Sequence, residues 1–553
     1  LGDATHAVVD LTSVAGATTT LTNNGLITSI NPAPTVAVPT PSAYADLAVL
    51  NTGGALTFAN NGTLLGRLNG SAGQSVTMTN TSFTSWHTTG TSSFSPVNDS
   101  LTNSGLIATN ATGTATTLDF LGGTDTFTNT ATGVLVAGEI QGTNGAAASD
   151  LKILTLETFT NNGLIVFGSN TTFASRPASV AFPPGSTFSD NGINDKINAA
   201  GAVFGGTGQL AMDADLWSTA QASCATLTAA DCLAVGSTTG LNTIIVNDSN
   251  AHAVGSFNPN GIALVTGSTN AGANFKLDPA SEWYNPAKFG GVLDKPGLFF
   301  YDLAWNSANN TSLLIGVPDT EAFELSELGA TAQDVWYSST QTWFDRQADL
   351  RTTLQGRADG WAPAVWLKVV GQWTDRDNTA TFSLFNKSYS FDVGYRQDTA
   401  GLIGGVDFLR ASNGTEAYVF GAQVGYMDSD VRFHSPSRAK LSGPTFGVYG
   451  TYMNGGFFLD GVVNANFLSL DVNMPTLPGP PTPFSTGADV RSYGGQLEAG
   501  YQMPIGANAF WEPLASLSYV HTDIHDLSMG ISGLATYPNT TSFRGSLGAR
   551  IGM

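Results

Sequence analysis

The stretch Gly456-Phe-Phe-Leu-Asp-Gly-Val-Val-Asn-Ala-Asn-Phe-Leu-Ser-Leu470 decides the fold class, because its side chains alternate between two kinds. Val463 and Phe467 face one side of the predicted strand, whereas Asp460 and Asn464 face the other. A soluble sandwich would also alternate, but it would bury its apolar face and would rarely hold strands this long. A polar face opposite an apolar one over this length predicts a strand that crosses a bilayer.

The same alternation recurs along the C-terminal third of the chain. Its predicted strands are 364–373, 400–411, 415–427, 443–453, 456–470, 489–502, 510–521 and 541–553. Short turns such as Asn454-Gly455 alternate with long loops such as 374–399, 428–442 and 471–488. Tight turns on one side and long loops on the other are typical of outer-membrane barrels. The pattern therefore predicts an antiparallel transmembrane β-barrel over 358–553.

Charged side chains on the polar faces are predicted to point into the barrel lumen. They are Lys368, Asp460, Glu498, Glu512, Arg544 and Arg550. In a narrow bore such groups pair with one another or with a plug, or they line a hydrated channel. The sequence leaves both arrangements open and favours pairing with a helix.

A second motif, a large apolar residue followed two positions later by Asn or Asp, recurs through residues 1–204. It occurs at Leu21–Ile27, Phe58–Gly62, Leu101–Ile107, Phe127–Asn129, Phe159–Ile165 and Phe188–Gly192. Most copies continue into Gly, which suits a turn at positive φ between two short strands. Stacked units would bury a column of apolar side chains, and the Asn side chains can form amide ladders. The motif predicts a parallel β-helix.

The alternative for residues 1–204 is a low-complexity linker rich in Thr, Asn and Gly. The regular return of large apolar residues argues against it, because disordered tracts lack such anchors. Residues 205–318 contain more ordinary strands, for example Thr243–Asn247 and Ser312–Ile315. This region is predicted to be the end of the same solenoid and to cap the stack.

Residues 319–357 form the one predicted helix, because apolar side chains recur there at helical spacing. A helix that directly precedes the first barrel strand can plug the pore, or it can lie on the surface as a linker. The plug is the favoured interpretation. Its pore-facing residues would be Trp336, Trp343, Asp345, Arg346, Asp349 and Arg351.

Composition excludes several classes of function. The 553 residues carry a net charge of −21 and no basic stripe, so nucleic-acid binding is not expected. The chain contains no Gly-x-Ser-x-Gly, His-Glu-x-x-His, P-loop or Cys-x-x-Cys motif, so neither an enzyme nor a cofactor is predicted. Cys224 and Cys232 favour a local disulfide in an oxidising compartment over two free thiols, and they do not suit a metal site.

Solenoid, helix and barrel in this order resemble the autotransporters, the type V secretion proteins. The stretch Val365-Trp-Leu-Lys-Val-Val-Gly-Gln-Trp373 is similar to the first strand of that family's translocator domain. Tyr395-Arg-Gln-Asp-Thr-Ala-Gly-Leu402 is similar to its second strand, and Leu547-Gly-Ala-Arg550 continues the resemblance. In this family, the region corresponding to 205–318 is an autochaperone-like end of the passenger.

The resemblance implies a non-enzymatic protein that exports its own N-terminal passenger to the cell surface of a Gram-negative bacterium. It implies contact with outer-membrane lipid, the barrel assembly machinery and periplasmic chaperones. The passenger is expected to be adhesive or structural, toward a host surface or a neighbouring cell. The alternatives are a passenger whose enzymatic segment precedes residue 1, and a porin-like channel.

Two departures from the family pattern lead to further expectations. The family barrel has twelve strands, whereas eight are legible here and the chain ends on Met553. With no initiator Met or signal-peptide pattern at the start, this predicts a chain truncated at both ends. Family members that cleave themselves in the pore use an Asn pair in the helix, and no Asn lies between Asp319 and Gly356. The passenger is therefore expected to stay attached.

Overall fold

The computed structural model confirms the predicted all-β class, with a parallel solenoid, one helix and a curled antiparallel sheet. It describes residues 3–29, 44–81, 84–109, 115–140, 150–169, 194–217, 220–269, 274–354, 364–412, 416–478, 483–505 and 509–552. The chain forms two compact units. The first unit comprises 1–295, 299–317 and 382–389, and the second unit comprises 296–298, 318–381 and 390–553.

The first unit contains short strands throughout. They are β1 (Val9–Thr12), β2 (Thr18–Asn23), β3 (Leu26–Ile27), β4 (Leu47–Thr52), β5 (Ala55–Asn60), β6 (Thr63–Leu65), β7 (Arg67–Ala72), β8 (Val76–Asn80), β9 (Ser85–Thr88), β10 (Thr91–Ser93), β11 (Ser100–Asn103), β12 (Leu106–Thr109), β13 (Thr116–Asp119), β14 (Thr126–Asn129), β15 (Val134–Ile140), β16 (Asp150–Leu154), β17 (Thr158–Asn161), β18 (Leu164–Ser169), β19 (Lys196–Gly206), β20 (Gln209–Ala214), β21 (Cys232–Thr238), β22 (Asn242–Asp248), β23 (Asn258–Thr266), β24 (Phe275–Leu277), β25 (Tyr284–Asn285), β26 (Val292–Leu293), β27 (Phe299–Asn306) and β28 (Thr311–Pro318).

These strands stack in parallel as three faces of a β-helix. The first face runs β1-β4-β7-β10-β13-β16-β19-β21-β23, and the second runs β2-β5-β8-β11-β14-β17-β19. The third face runs β3-β6-β9-β12-β15-β18-β20-β22-β24. Because β19 spans position 205, the stack continues through the predicted domain boundary. The end of the unit is antiparallel, with β23 on β28 and β26 on β27.

An apolar column and an amide ladder run side by side along the second face. In register, the column contains Leu21, Phe58, Met78, Leu101, Phe127, Phe159 and Phe204. The ladder contains Asn23, Asn60, Asn80, Asn103, Asn129 and Asn161, and each of the first five donates from Nδ2 to the Oδ1 of the next at 2.8–2.9 Å. The predicted Asn ladder is present. The copy of the motif at Phe188–Gly192 lies outside the described residues.

A second ladder, of carboxylates, follows the turn between the first and second faces. Asp99 accepts hydrogen bonds from the backbone N–H of Val76 and of Ser95, and Asp125 accepts one from the N–H of Asp99 at 2.6 Å. Glu157 in turn accepts from the N–H of Asp125 at 2.7 Å. Burial, together with the neighbouring charges of Asp99 and Glu157, raises the pKa of Asp125 to about 6.

We expect Asp125→Asn to weaken the pH dependence of the stability of the first unit. Because folding raises the pKa of Asp125, its contribution is fully present below the ordinary value of 3.8 and is lost as pH rises through about 6. The native unit should therefore lose stability between about pH 4 and pH 7. Asparagine keeps the acceptor for the Asp99 N–H and removes the titration.

Hydrogen exchange of the β11 and β14 amides at pH 4.5 and 7.5 would measure this dependence in the full chain. Asp119→Asn, at a more exposed carboxylate, is the control and should follow the native protein. An unchanged dependence in Asp125→Asn would rule out this carboxylate as the source.

The two cysteines close a loop near the end of the solenoid. Cys224 and Cys232 form a disulfide, with their Cα atoms 5.3 Å apart. Gln221, which precedes the loop, accepts at Oε1 from the backbone N–H groups of the loop residues Thr228, Ala229 and Ala230. The buried amide therefore satisfies donors that the tight loop leaves without strand partners.

Among the described residues, the second unit contains one α-helix, α1 (Thr320–Leu354). The strands that follow it in the chain are β29 (Ala364–Arg376), β30 (Thr379–Leu384), β31 (Lys387–Asp392), β32 (Tyr395–Ser412), β33 (Glu416–Phe433), β34 (Arg438–Asn454), β35 (Phe457–Met474), β36 (Phe484–Tyr501), β37 (Met503–Pro504), β38 (Phe510–Ile524), β39 (Leu527–Ser528), β40 (Leu534–Ala535) and β41 (Thr540–Gly552). The eight long strands pair antiparallel in the order β29-β32-β33-β34-β35-β36-β38-β41, and β30 and β31 form a separate hairpin.

The strands are longer than predicted, and two predicted long loops are short. The predicted loop 428–442 is mostly strand, because β33 continues to Phe433 and β34 begins at Arg438. The predicted loop 471–488 shrinks in the same way between β35 and β36. Both faces of these extensions include polar side chains. The alternation of polar and apolar residues is therefore weaker there, although the antiparallel pairing continues. The third loop, 374–399, contains the hairpin β30–β31, which the sequence interpretation missed.

Candidate functional site: the inner face of the C-terminal sheet

The two faces of the long strands differ in the way the sequence predicts. On β29, Val365, Leu367 and Val369 are exposed on one face, while Trp366 and Lys368 lie on the less exposed face. On β35 the side chain of Val463 is 61% exposed and that of Asp460 is fully buried. An apolar outer face and a polar inner face are the arrangement that a bilayer requires of a barrel.

The helix α1 lies against the inner face of this sheet. It contacts β29, β32, β33, β34, β35, β36 and β38. Among its described buried residues polar side chains outnumber apolar ones, and they include Thr331, Ser338 and Ser339. Within the described residues, no helix carries an apolar stretch of the length that a membrane crossing requires. The polar helix is therefore matched to the polar interior of the sheet.

Asp334 on α1 holds both edge strands of the sheet. It forms ion pairs with Arg376 of β29 and, at 3.4 Å, with Arg544 of β41. The Asp334 side chain is buried, and the Arg544 guanidinium also lies 3.7 Å from the centre of the Tyr337 ring. Since β29 and β41 are the two ends of the strand order, one carboxylate ties the helix to both.

Further hydrogen bonds flank this ion-pair cluster. Ser338 donates to Gln372 of β29, and Tyr337 pairs with Ser542 of β41 at 3.0 Å. Gln397 of β32 donates to the carbonyl of Thr331 at 3.0 Å. These bonds fix the rotation of the helix about its own axis and its position along the strands.

Trp336 anchors the opposite side of the helix. Its fully buried indole Nε1 donates to the backbone carbonyl of Asn464 at 3.0 Å, and the Asn464 side chain donates to Ser339 at 2.9 Å. Gly494 of β36 leaves the space for the indole: a Cβ there would lie 2.9 Å from Trp336 Cζ2 and 2.0 Å from the Tyr519 carbonyl oxygen.

We expect Gly494→Ala to destabilise the second unit by about 1–3 kcal/mol, because the added methyl overpacks a site that cannot expand. Gly495→Ala is the matched control, since its nearest neighbour, the Val462 carbonyl oxygen, lies 3.3 Å from the ideal Cβ. Thermal unfolding in detergent, followed by circular dichroism, measures both. Equal melting curves for the two variants would contradict the close packing of Trp336.

A second charge cluster lies on the sheet itself. Arg550 pairs with Glu498 and with Glu512, each at 2.9 Å, and both carboxylates are buried. Asp407 accepts from the Tyr449 hydroxyl at 2.7 Å, and that hydroxyl accepts from the Trp366 indole at 2.8 Å. These inner groups therefore pair within the wall, whereas Arg544 pairs with the helix.

The remaining predicted pore residues divide into two groups. Lys368 and the buried Asp460 lie on the inner face, as the alternation requires. Trp343, Asp345, Arg346, Asp349 and Arg351 lie in α1, but their side chains are outside the described residues. Sequence reasoning missed Asp334, which pairs with both edge strands, because an isolated Asp in an amphipathic helix gives no signal.

One exposed group has the residue types of a metal site. Asp375, Asp377 and His434 bring their ligand atoms within 4.8 Å of one another. A hydrogen bond from His434 to Asp392 raises the pKa of the imidazole, which favours the protonated form that binds no metal. We assign no ion to this group.

Comparison with known proteins agrees with this geometry. The family model described as autotransporter beta-domain matches residues 365–553. Searches of curated proteins and of solved structures gave no match. The match begins at the first strand of the sheet and covers all eight of its long strands.

The family sets the location and the general task of the chain. An autotransporter β-domain lies in the outer membrane, where its insertion involves the barrel assembly machinery, and it exports a passenger that is exposed at the cell surface. The parallel β-helix of the first unit precedes the domain as a passenger does. Residues 365–553 of this chain therefore belong to the autotransporter β-domain family.

Proposed function

We propose that the exported β-helix is a non-enzymatic adhesive or structural module. Its ligand is an uncharged, repetitive glycan on a host surface or a neighbouring cell. The observation that carries this proposal is an array of hydroxyl groups in register on the second face of the solenoid.

The array consists of two outward files of side chains, one on each side of the buried apolar column. The first file is Thr20, Thr57, Thr77, Ser100, Thr126 and Thr158; the second is Thr22, Ala59, Thr79, Thr102, Thr128 and Thr160. Successive members lie about 4.8 Å apart, the spacing of paired strands. From β2 to β17, eleven of these twelve positions carry a hydroxyl group, and Ala59 is the exception.

Such a face suits a repetitive polar ligand for two physical reasons. Threonine is stiff at χ1, so little side-chain entropy is lost when its hydroxyl makes a contact. The array also carries no charge, so it attracts polymers by hydrogen bonds and methyl contacts. Many weak contacts at one spacing add up along a chain ligand through effective concentration.

A non-enzymatic role is also supported by the sequence, which contains no Gly-x-Ser-x-Gly, His-Glu-x-x-His or P-loop motif. We further propose that periplasmic chaperones hold the unfolded strands before insertion. The apolar side chains of these strands, such as Leu547 and Val365, would otherwise be exposed to water.

The test replaces threonines in the centre of the array with lysine. Cells that display Thr102→Lys/Thr128→Lys should lose most of their adhesion to glycan-coated surfaces and most of their mutual aggregation. Thr117→Lys, on the first face of the same solenoid, should retain both. Proteolysis of intact cells measures display of each variant. Full adhesion by the double variant at equal display would overturn the proposal.

A further inference from the structure

A short segment of the β-domain sequence folds with the first unit. Residues 382–389 form the centre of the hairpin β30–β31, yet they belong to the first unit with residues 299–317. Its contacts are made with β27, with the turn before β26 and with Phe257, whose ring lies 6.2 Å from that of Phe382. The hairpin contributes one charged, two aromatic and one amide side chain.

The charged contact is buried. Asp302 on β27 is 5% exposed, and its Oδ2 accepts from Lys387 Nζ and from the Tyr389 hydroxyl, both at 2.8 Å. A carboxylate removed from water is stable only if ionic and hydrogen-bond partners replace the solvent. Both side-chain partners of Asp302 come from the hairpin, so β27 can bury this residue at low cost only when the hairpin is docked.

An aromatic cluster surrounds the ion pair. The ring of Tyr389 lies 5.2 Å from that of Phe289 and 5.3 Å from that of Phe300, both edge-to-face. Phe289 and Phe300 stack on each other at 5.2 Å. Tyr389 is 3% exposed and Phe300 is fully buried, whereas Phe289 is 44% exposed, so removal of Tyr389 would uncover Phe300 together with the carboxylate.

The turn of the hairpin makes a third contact. Asn386 Oδ1 accepts from the backbone N–H of Trp305 at 2.8 Å, at the end of β27. Phe385, the other turn residue, has a φ of 53°, a conformation that costs a non-glycine residue about 1 kcal/mol or more. The backbone thus holds a strained turn at the position where Asn386 meets β27.

We propose that residues 382–389 are a docking segment that completes the fold of the passenger's terminal strands. The segment supplies the cation, the hydroxyl and the aromatic ring without which Asp302 and Phe300 cannot be buried together. The end of the passenger next to the helix α1 in sequence therefore reaches full stability only with this β-domain segment bound. This role is independent of what the exported solenoid binds.

Hydrogen exchange of the full chain in detergent tests this inference. The β27 amides of Tyr389→Ala should exchange at least about tenfold faster than those of the native protein, and those of Lys387→Ala somewhat less so. Ser388→Ala, between the two and exposed, should leave exchange unchanged. The solenoid amides of β11 and β14 should keep native rates in all three variants, because distant rungs are not coupled directly.

Two further variants keep the test decisive. If Tyr389→Ala is not recovered folded, Tyr389→Phe removes only the hydroxyl and should give a smaller acceleration at the same amides. Asp302→Asn combined with Lys387→Met removes both charges and should exchange more slowly than Lys387→Met alone. Native exchange of β27 in both Lys387→Ala and Tyr389→Phe would overturn the docking role.

Discussion

Replacing Asp334 by Asn should loosen the helix α1 from the β-domain and open the inner side of the sheet to ions. The neutral amide cannot compensate for Arg376 and Arg544, which come from the two edge strands. Breaking a buried ion pair costs about 3–5 kcal/mol. Because both arginines are more than one third exposed, we expect roughly 2–3 kcal/mol here, or a fall of about 5–10 °C in the unfolding temperature.

Two measurements check this expectation. When samples are heated in steps before gel electrophoresis, the folded band should disappear at a lower temperature than in the native protein. Conductance in planar bilayers should rise. Glu327→Ala is the matched control: it lies two turns earlier on the same helix and bonds only the Asn378 side chain, at 2.8 Å, among the contacts described. If Asp334→Asn conducts and melts like the native protein, Asp334 does not hold the helix.

Asn60→Asp should disrupt the solenoid locally, with a loss of about 3–5 kcal/mol in the stability of its rung. Asn60 donates both amide hydrogens, one to Asn80 Oδ1 at 2.8 Å and one to the Ser85 carbonyl at 3.2 Å. Aspartate would place a buried charge against these two acceptors. Each buried polar group left unsatisfied costs about 1–3 kcal/mol, and a charge costs more.

The neighbouring residue provides the control. Asn61 is exposed, and its side chain bonds Asn24 at 3.1 Å, so Asn61→Asp should change stability by well under about 1 kcal/mol. Exchange of the β5 and β8 amides distinguishes the two variants. Comparable exchange rates in both would show that the ladder contributes little to the stability of the stack.

Periodicity predicted the parts of this fold whose two faces meet different surroundings. Within the membrane region, lipid on one side and polar groups on the other impose the alternation of Asp460 and Val463. Beyond it, the alternation weakens, and the extension of β33 to Phe433 was missed. Phe382, Leu384, Tyr389 and Phe391 do alternate with smaller side chains, so the hairpin had a signal that the long-loop interpretation obscured.

The solenoid shows a similar limit. A large apolar residue followed two positions later by Asn identified most rungs, but Met78-Thr-Asn80 fits the same pattern and was missed. The wider signature Thr-x-Thr-Asn, present at Thr77–Asn80 and Thr126–Asn129, would have found it. Asp334 could not be predicted, because its partners lie 42 and 210 positions away and no local pattern reports them.

The amide ladder of the passenger has a direction. Every step described from Asn23 to Asn161 points its N–H toward the C-terminal neighbour, so the chain of dipoles never reverses. A coil joining at the N-terminal end arrives as a hydrogen donor and finds a carbonyl already held in place. Each added coil polarises the row of amide hydrogen bonds further in the same direction. Later coils therefore form stronger hydrogen bonds than the first.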